Sequence, residues 1–164
     1  MALNYKQIKY KFFDMLPLIL LFVIALSGSS IIEVGYFSLN VHYIIVYYFV
    51  LRKPETFGYG FIFLSGIFSD VILGFPIGIN TLSLLTIAAV AAYIRNVTVR
   101  ITLINDWISF IPAVLLTNFI YFIALYLSNY SIDYLSLVTN CFFTFIFYPI
   151  LWALFSFVTN LNKI

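Results

Sequence analysis

The sequence predicts an all-helical protein embedded in a membrane, with about six spans joined by short loops. Three observations predict it. Hydrophobic residues make up 64% of the 164 residues, against about 45–50% in a soluble domain. Charged residues make up 9%, against about 25%. Eight basic and six acidic side chains cannot cover the surface of a soluble domain of this length. Runs such as 16–26 and 84–94 do not alternate, which favours helices over the strands of a membrane barrel. Disorder is excluded by the same apolar content and a net charge of only +2. The 164 residues read as a single integral membrane domain.

The first span is predicted over 15–32. Lys6, Lys9 and Lys11 before it, and Ser27-Gly28-Ser29-Ser30 inside it, have the layout of a secretory signal peptide. Asp14, Pro17 and the continuation into Ile31 and Ile32 favour an uncleaved helix instead. The second span, 36–51, is short and aromatic, and Pro54 in the turn Arg52-Lys53-Pro54-Glu55 ends it. Glu55 is available to a neighbouring base, a pair of little energetic consequence when exposed. The third span, 57–73, is also short, and such spans need local thinning or interfacial aromatics. Pro76 stops it and opens the fourth span, 77–94. Before the fifth span, 107–127, Asn105-Asp106 reads as a helix N-cap and Trp107 as an interfacial anchor. The sixth span covers 134–158.

Charge placement supports an even number of spans. With the N-terminus inside, all eight basic residues fall on the cytoplasmic side, Arg95 and Arg100 among them as topology charges beside anionic lipid. The three opposite loops, near Glu33, 74–76 and 129–133, hold none. The C-terminus is then cytoplasmic as well.

Catalytic signatures are missing: there is no HExxH, GxSxG or Walker A pattern and no carboxylate cluster with metal spacing. No enzyme activity and no cofactor is therefore expected. The single Cys141 reads as a packing residue, and the single His42 lacks partners for a metal site. Asp70 is the one acidic residue expected inside a span, and an ionisable group there is a functional candidate by default. Gly58, Ile62, Gly66, Asp70 and Gly74 recur every four residues and form one face of a helix, with Ser65 and Ser69 beside it. Glycines on that face permit close approach of a neighbouring helix. Two readings of Asp70 stand: a carboxylate with a role of its own, or one that is solvated at the interface or caps the following turn. That turn, Gly74-Phe75-Pro76-Ile77-Gly78, is a short hairpin holding the third and fourth helices antiparallel. Asn80 and Thr81 then enter the membrane and are expected to hydrogen-bond across helices.

In order and spacing these pieces resemble the rod shape-determining MreD family. The resemblance runs from Tyr43 to Ile94: the pair Tyr47-Tyr48, the turn Arg52-Lys53-Pro54-Glu55, the helix carrying Gly66 and Asp70, then Gly74-Phe75-Pro76-Ile77-Gly78 and Leu82. It departs from the family pattern at Ser65-Gly66-Ile67, where Gly-Leu is more usual. The resemblance implies a non-enzymatic component of the bacterial inner membrane. It implies binding to MreC, and a link between cytoplasmic MreB filaments and peptidoglycan synthesis by RodA and a transpeptidase, with no nucleic-acid partner. It further implies a helical arrangement similar to the substrate-binding subunits of energy-coupling-factor transporters. Gly66, Asp70, Gly74, Pro76, Gly78, Arg52 and Pro54 are the candidate interaction residues, or the packing behind them.

The same likeness supplies an alternative, a transport subunit that binds a small molecule. Such a subunit needs a cavity with convergent polar groups. Asp70, Asn80, Thr81 and His42 are the candidates, with Thr117, Asn118, Thr139, Asn140 and Thr144 on the last two helices.

Overall fold

The computed structural model describes residues 5–27, 31–34, 37–98 and 102–161. Gly28, Ser29, Ser30, Arg100 and Lys163 lie outside the described residues. Within them the chain is helical apart from one hairpin: α1 (Tyr5–Leu26), β1 (Ile31–Val34), β2 (Phe37–Asn40), α2 (Val41–Arg52), α3 (Tyr59–Leu73), α4 (Ile79–Val97), α5 (Leu103–Leu127) and α6 (Tyr134–Leu161).

The third, fourth and sixth predicted spans correspond to α3, α4 and α6 within a few residues. The first two do not. Ile31 and Ile32 do not continue the first helix; they begin a strand. That strand pairs antiparallel with β2, from Ile31 opposite Asn40 to Val34 opposite Phe37. Ile31, Ile32 and Val34 are β-branched, and an apolar run this short cannot be assigned to helix or strand by periodicity. The second helix consequently starts at Val41 rather than 36, and its 12 residues reach only about 18 Å, short of a hydrocarbon core about 30 Å thick. Asn40 sets its start, with Oδ1 accepting from the Tyr43 backbone N–H at 3.2 Å.

α2 is the core of the molecule. Every residue from His42 to Leu51 is buried, consistent with a helix that is apolar on all sides. α1, α4 and α6 pack against it, and α1, α3, α4, α5 and α6 follow one another as packed neighbours. Aromatic rings fill the centre: Phe110 lies between Tyr47 and Tyr148, with centroids 4.8 and 4.4 Å away.

The outer surfaces are apolar too. Along α6, Leu135, Val138, Phe142, Ile146, Ile150, Leu154 and Phe157 are exposed at helical spacing. Met15, Ile19, Val23 and Leu26 form the same kind of stripe on α1. α5 and α6 are long and apolar enough to cross a membrane. Only 28% and 17% of their most apolar windows are buried, the opposite of core helices in a soluble protein.

α5 begins earlier than predicted. Its N-cap is Thr102, whose hydroxyl accepts from the Asn105 N–H at 3.3 Å. Asn105-Asp106 is therefore inside the first turn rather than ahead of the helix. Trp107 is engaged within the fold: its ring stacks on Phe145 and its Nε1–H donates to the Phe145 carbonyl at 3.0 Å. That carbonyl lacks its ordinary helical donor because the residue four positions on is Pro149, which has no N–H.

Candidate functional site

The residues singled out from the sequence fall at two ends of the bundle. At one end α3 turns into α4. Gly74 closes α3 in the left-handed region, φ 68°, where a side chain is disfavoured. The Phe75 N–H then donates to the Asp70 carbonyl and the Gly74 N–H to the Val71 carbonyl, the pair of bonds that makes a Schellman ending. The Asp70 side chain turns the other way, toward the start of α4. Its Oδ2 accepts from the Gly78 N–H at 2.8 Å and the Thr81 hydroxyl at 3.0 Å, and Oδ1 accepts from the Asn80 N–H at 2.8 Å. A weaker bond at 3.4 Å comes from the Thr81 N–H. One carboxyl thus satisfies N–H groups that the first turn of α4 leaves without helical partners.

Asp70 is fully buried, so it is not solvated at an interface. It does act as a cap, for the helix after the turn. Gly66, one helical turn earlier, explains how the two helices come so close. A methyl group built on it would lie 2.5 Å from Thr81 Cα, closer than packing allows. Ser65 and Ser69 are buried beside it, and their hydroxyls have no hydrogen-bond partner among the described residues. Gly66, Asp70, Gly74 and Gly78 therefore form one structural junction, while Pro76 lies exposed in its turn.

Arg52 belongs to the other end, where α2 stops. Its Nη2 lies 3.3 Å from Asp106 Oδ2, a salt bridge to a residue 54 positions on rather than to Glu55. The guanidinium stands 5.1 Å from the ring centroid of Tyr48 and 5.0 Å from that of Trp152. Trp152 donates to the same carboxylate oxygen at 2.9 Å, and the Tyr47 hydroxyl to the Asp106 carbonyl at 3.4 Å. Arg95 is also part of the fold: it donates to the Val50 carbonyl, in the last turn of α2, at 3.1 Å. Pro54 lies exposed in the turn that follows.

The remaining polar candidates divide. His42 is bonded to the Leu21 carbonyl at 3.1 Å, locking α2 to α1. Thr117 bonds the Ala113 carbonyl of its own helix. Thr144 accepts from the Asn40 N–H, and Asn140 donates to the Ser38 hydroxyl at 2.9 Å, tying α6 to the hairpin. Asn40, Asn80, Asn118 and Asn140 meet on the wall of a cavity of about 190 Å³, on the same side of the bundle as the α3–α4 turn. Asn40 and Tyr43 were not among the sequence candidates, because the hairpin that brings them to the cavity was not foreseen. Thr139 lies outside the cavity wall and bonds the Leu135 carbonyl.

Among the described residues, no three His, Cys, Asp or Glu side chains come together as a metal site. Comparison of the chain with models of known families, with curated proteins and with solved structures yields no match.

Proposed function

We propose that this chain is a multi-pass protein of the bacterial inner membrane and a non-enzymatic component of the cell-elongation machinery. In this reading it maintains rod shape by binding MreC and linking MreB filaments to peptidoglycan synthesis by RodA and a transpeptidase. The resemblance over Tyr43 to Ile94 is its source. The observation that carries it is that this stretch folds as one packed unit, in which Gly66, Asp70, Gly74 and Gly78 all serve the α3–α4 junction. A rigid unit with an apolar outer wall suits a membrane scaffold. Phe61, Phe68 and Ile72 on the exposed side of α3 are then available to lipid or to a partner's membrane helix, in agreement with that role.

The exposed apolar stripes on α1 and α6 support membrane embedding. Arg52 and Arg95, both at the end of the bundle where α2 stops, support that end as cytoplasmic. Of the transport-subunit candidates, Asp70 and Thr81 bond each other and His42 bonds α1, while Asn80, Asn118 and Asn140 line a cavity.

Depletion in the native rod-shaped bacterium tests the proposal. Cells are expected to round up, and to regain rod shape when the gene is restored. Rods that persist after depletion overturn it. Capture of MreC is best probed by substituting Phe61, Phe68 and Ile72, since changes at Gly66 or Asp70 damage the fold itself.

A further inference from the structure

The cavity beside the α3–α4 turn has the chemistry of a binding site. Its deep wall is made of buried side chains from three elements: Asn40 and Tyr43 at the start of α2, Asn80 at the start of α4 and Asn140 on α6. Its outer rim is the connection between α5 and α6, where Tyr130, Ser131 and Asp133 are exposed. Phe75 of the α3–α4 turn meets Tyr130 edge to face, centroids 5.0 Å apart, so the two turns join over one side of the rim.

The deep wall is held rigidly. Asn140 is fixed by its bond to Ser38, and Asn40 by its capping bond and by Thr144. One group there is unmatched. The Asn80 Nδ2 has no hydrogen-bond partner among the described residues, on a side chain more than nine-tenths buried. A buried amide donor left unpaired costs about 1–3 kcal/mol, so the Asn80 amide gains by turning toward an acceptor in the cavity that the residue lines.

The lining also defines the ligand's charge. Among the described residues no Lys, Arg or His lies on the wall, so an anion would meet no cationic side chain there. The carboxylate at the rim, Asp133, is engaged in capping α6, accepting from the Leu135 and Ser136 N–H groups. What the wall offers is carboxamides, which donate and accept, together with Ser and Tyr hydroxyls and the flat faces of aromatic rings. The volume equals about six waters at roughly 30 Å³ each. That is room for one small ring.

We propose that this cavity binds an uncharged, hydroxyl-rich ring the size of a single sugar unit, held by Asn40, Asn80, Asn118 and Asn140 and stacked against tyrosine. The proposal rests on the cavity alone and does not depend on the scaffold reading.

Equilibrium dialysis of the full chain in nanodiscs, with labelled D-glucose and N-acetyl-D-glucosamine as probes, tests it. Saturable binding of at least one probe is expected, with Kd of about 1 mM or tighter. Glucose 6-phosphate should bind at least about tenfold more weakly, the loss set by burying an unpaired charge. Asn80→Leu and Asn118→Leu should each weaken binding by about tenfold or more, as expected for loss of a buried hydrogen bond to a ligand. Ser136→Phe should abolish it by filling the space, while Leu116→Ala on the exposed face of α5 should leave it unchanged. Asn118→Leu and Ser136→Phe decide the matter if Asn80→Leu does not fold. No saturation by either sugar at about 10 mM, ten times that Kd, overturns the proposal. So does phosphate-sugar binding of equal strength, or wild-type affinity in Asn118→Leu and Ser136→Phe.

Discussion

Each end of the bundle buries one carboxyl group, and the two are satisfied by opposite means. Asp70 has no salt-bridge partner among the described residues. It is held by the backbone N–H groups of Gly78 and Asn80 and by Thr81, all within 11 residues along the chain. Asp106 is held by side chains that come from far away in sequence: Arg52 on α2 and Trp152 on α6. The first arrangement builds a local turn and fixes two neighbouring helices. The second ties three helices, α2, α5 and α6, at a single point. The contrast teaches that a buried acid in this protein is a joint, whose reach depends on whether its partners are backbone or side chain.

The largest effects should come from separating these two joints. Asp70→Ala removes every acceptor at once and leaves the N–H groups at the start of α4 unpaired, which should cost about 3–5 kcal/mol. Asp70→Asn keeps one carbonyl acceptor and should recover part of that. At the other end Arg52→Ala leaves the Asp106 charge unpaired and should cost about 2–4 kcal/mol. There the double change Arg52→Ala with Asp106→Ala should cost less than the two singles added, by about 1–3 kcal/mol. Thermal unfolding midpoints in detergent read these differences. Additive singles at Arg52 and Asp106 would show that the pair is not the joint described.

How much of this was legible in the sequence follows from the same contrast. The Asp70 junction was visible as a pattern, because Gly66, Asp70 and Gly74 stand four residues apart and Pro76 and Gly78 mark the turn. Its sense was only partly legible: capping of the following turn was one of two readings, but the N–H groups that Asp70 meets lie 8 to 11 residues on, at the start of α4. The Asp106 joint was not legible. Nothing local in Asn105-Asp106-Trp107 points to Arg52, 54 residues earlier, or to Trp152, 46 residues later. The local signal instead imitated a helix cap, while Thr102 held that position. The hairpin failed for a different reason. Four-residue strands adjoining apolar helices give no period to count, so they were absorbed into the spans on either side. With them went the cavity wall at Asn40 and Tyr43.

The close approach at Gly66 sharpens the comparison from the packing side. Gly66→Ala places a methyl group against the backbone of Thr81, which cannot move without disturbing the bonds from Thr81 to Asp70. It should cost about 1–3 kcal/mol, the usual penalty for overpacking. Gly60→Ala, where a methyl group meets nothing within 4 Å, is the control and should be neutral or slightly stabilising. Equal midpoints for the two variants would mean that α3 and α4 are not in the contact described.

The smallest effect concerns a third joint, between α5 and α6, that uses neither acid. Pro149 leaves the Phe145 carbonyl without its helical donor, and the Trp107 indole N–H supplies one from the neighbouring helix. Trp107→Phe keeps an aromatic ring against Phe145 and removes only the donor, so it should cost about 1 kcal/mol. Pro149→Ala restores an N–H within α6 and gives the Phe145 carbonyl a partner of its own. In that background Trp107→Phe should cost measurably less, because the carbonyl is no longer left unsatisfied. A cost that is the same in both backgrounds would reduce the indole to a packing group. A smaller cost would establish that the proline in α6 and the tryptophan in α5 act as one unit, a helix defect in one element repaired by a side chain from the next.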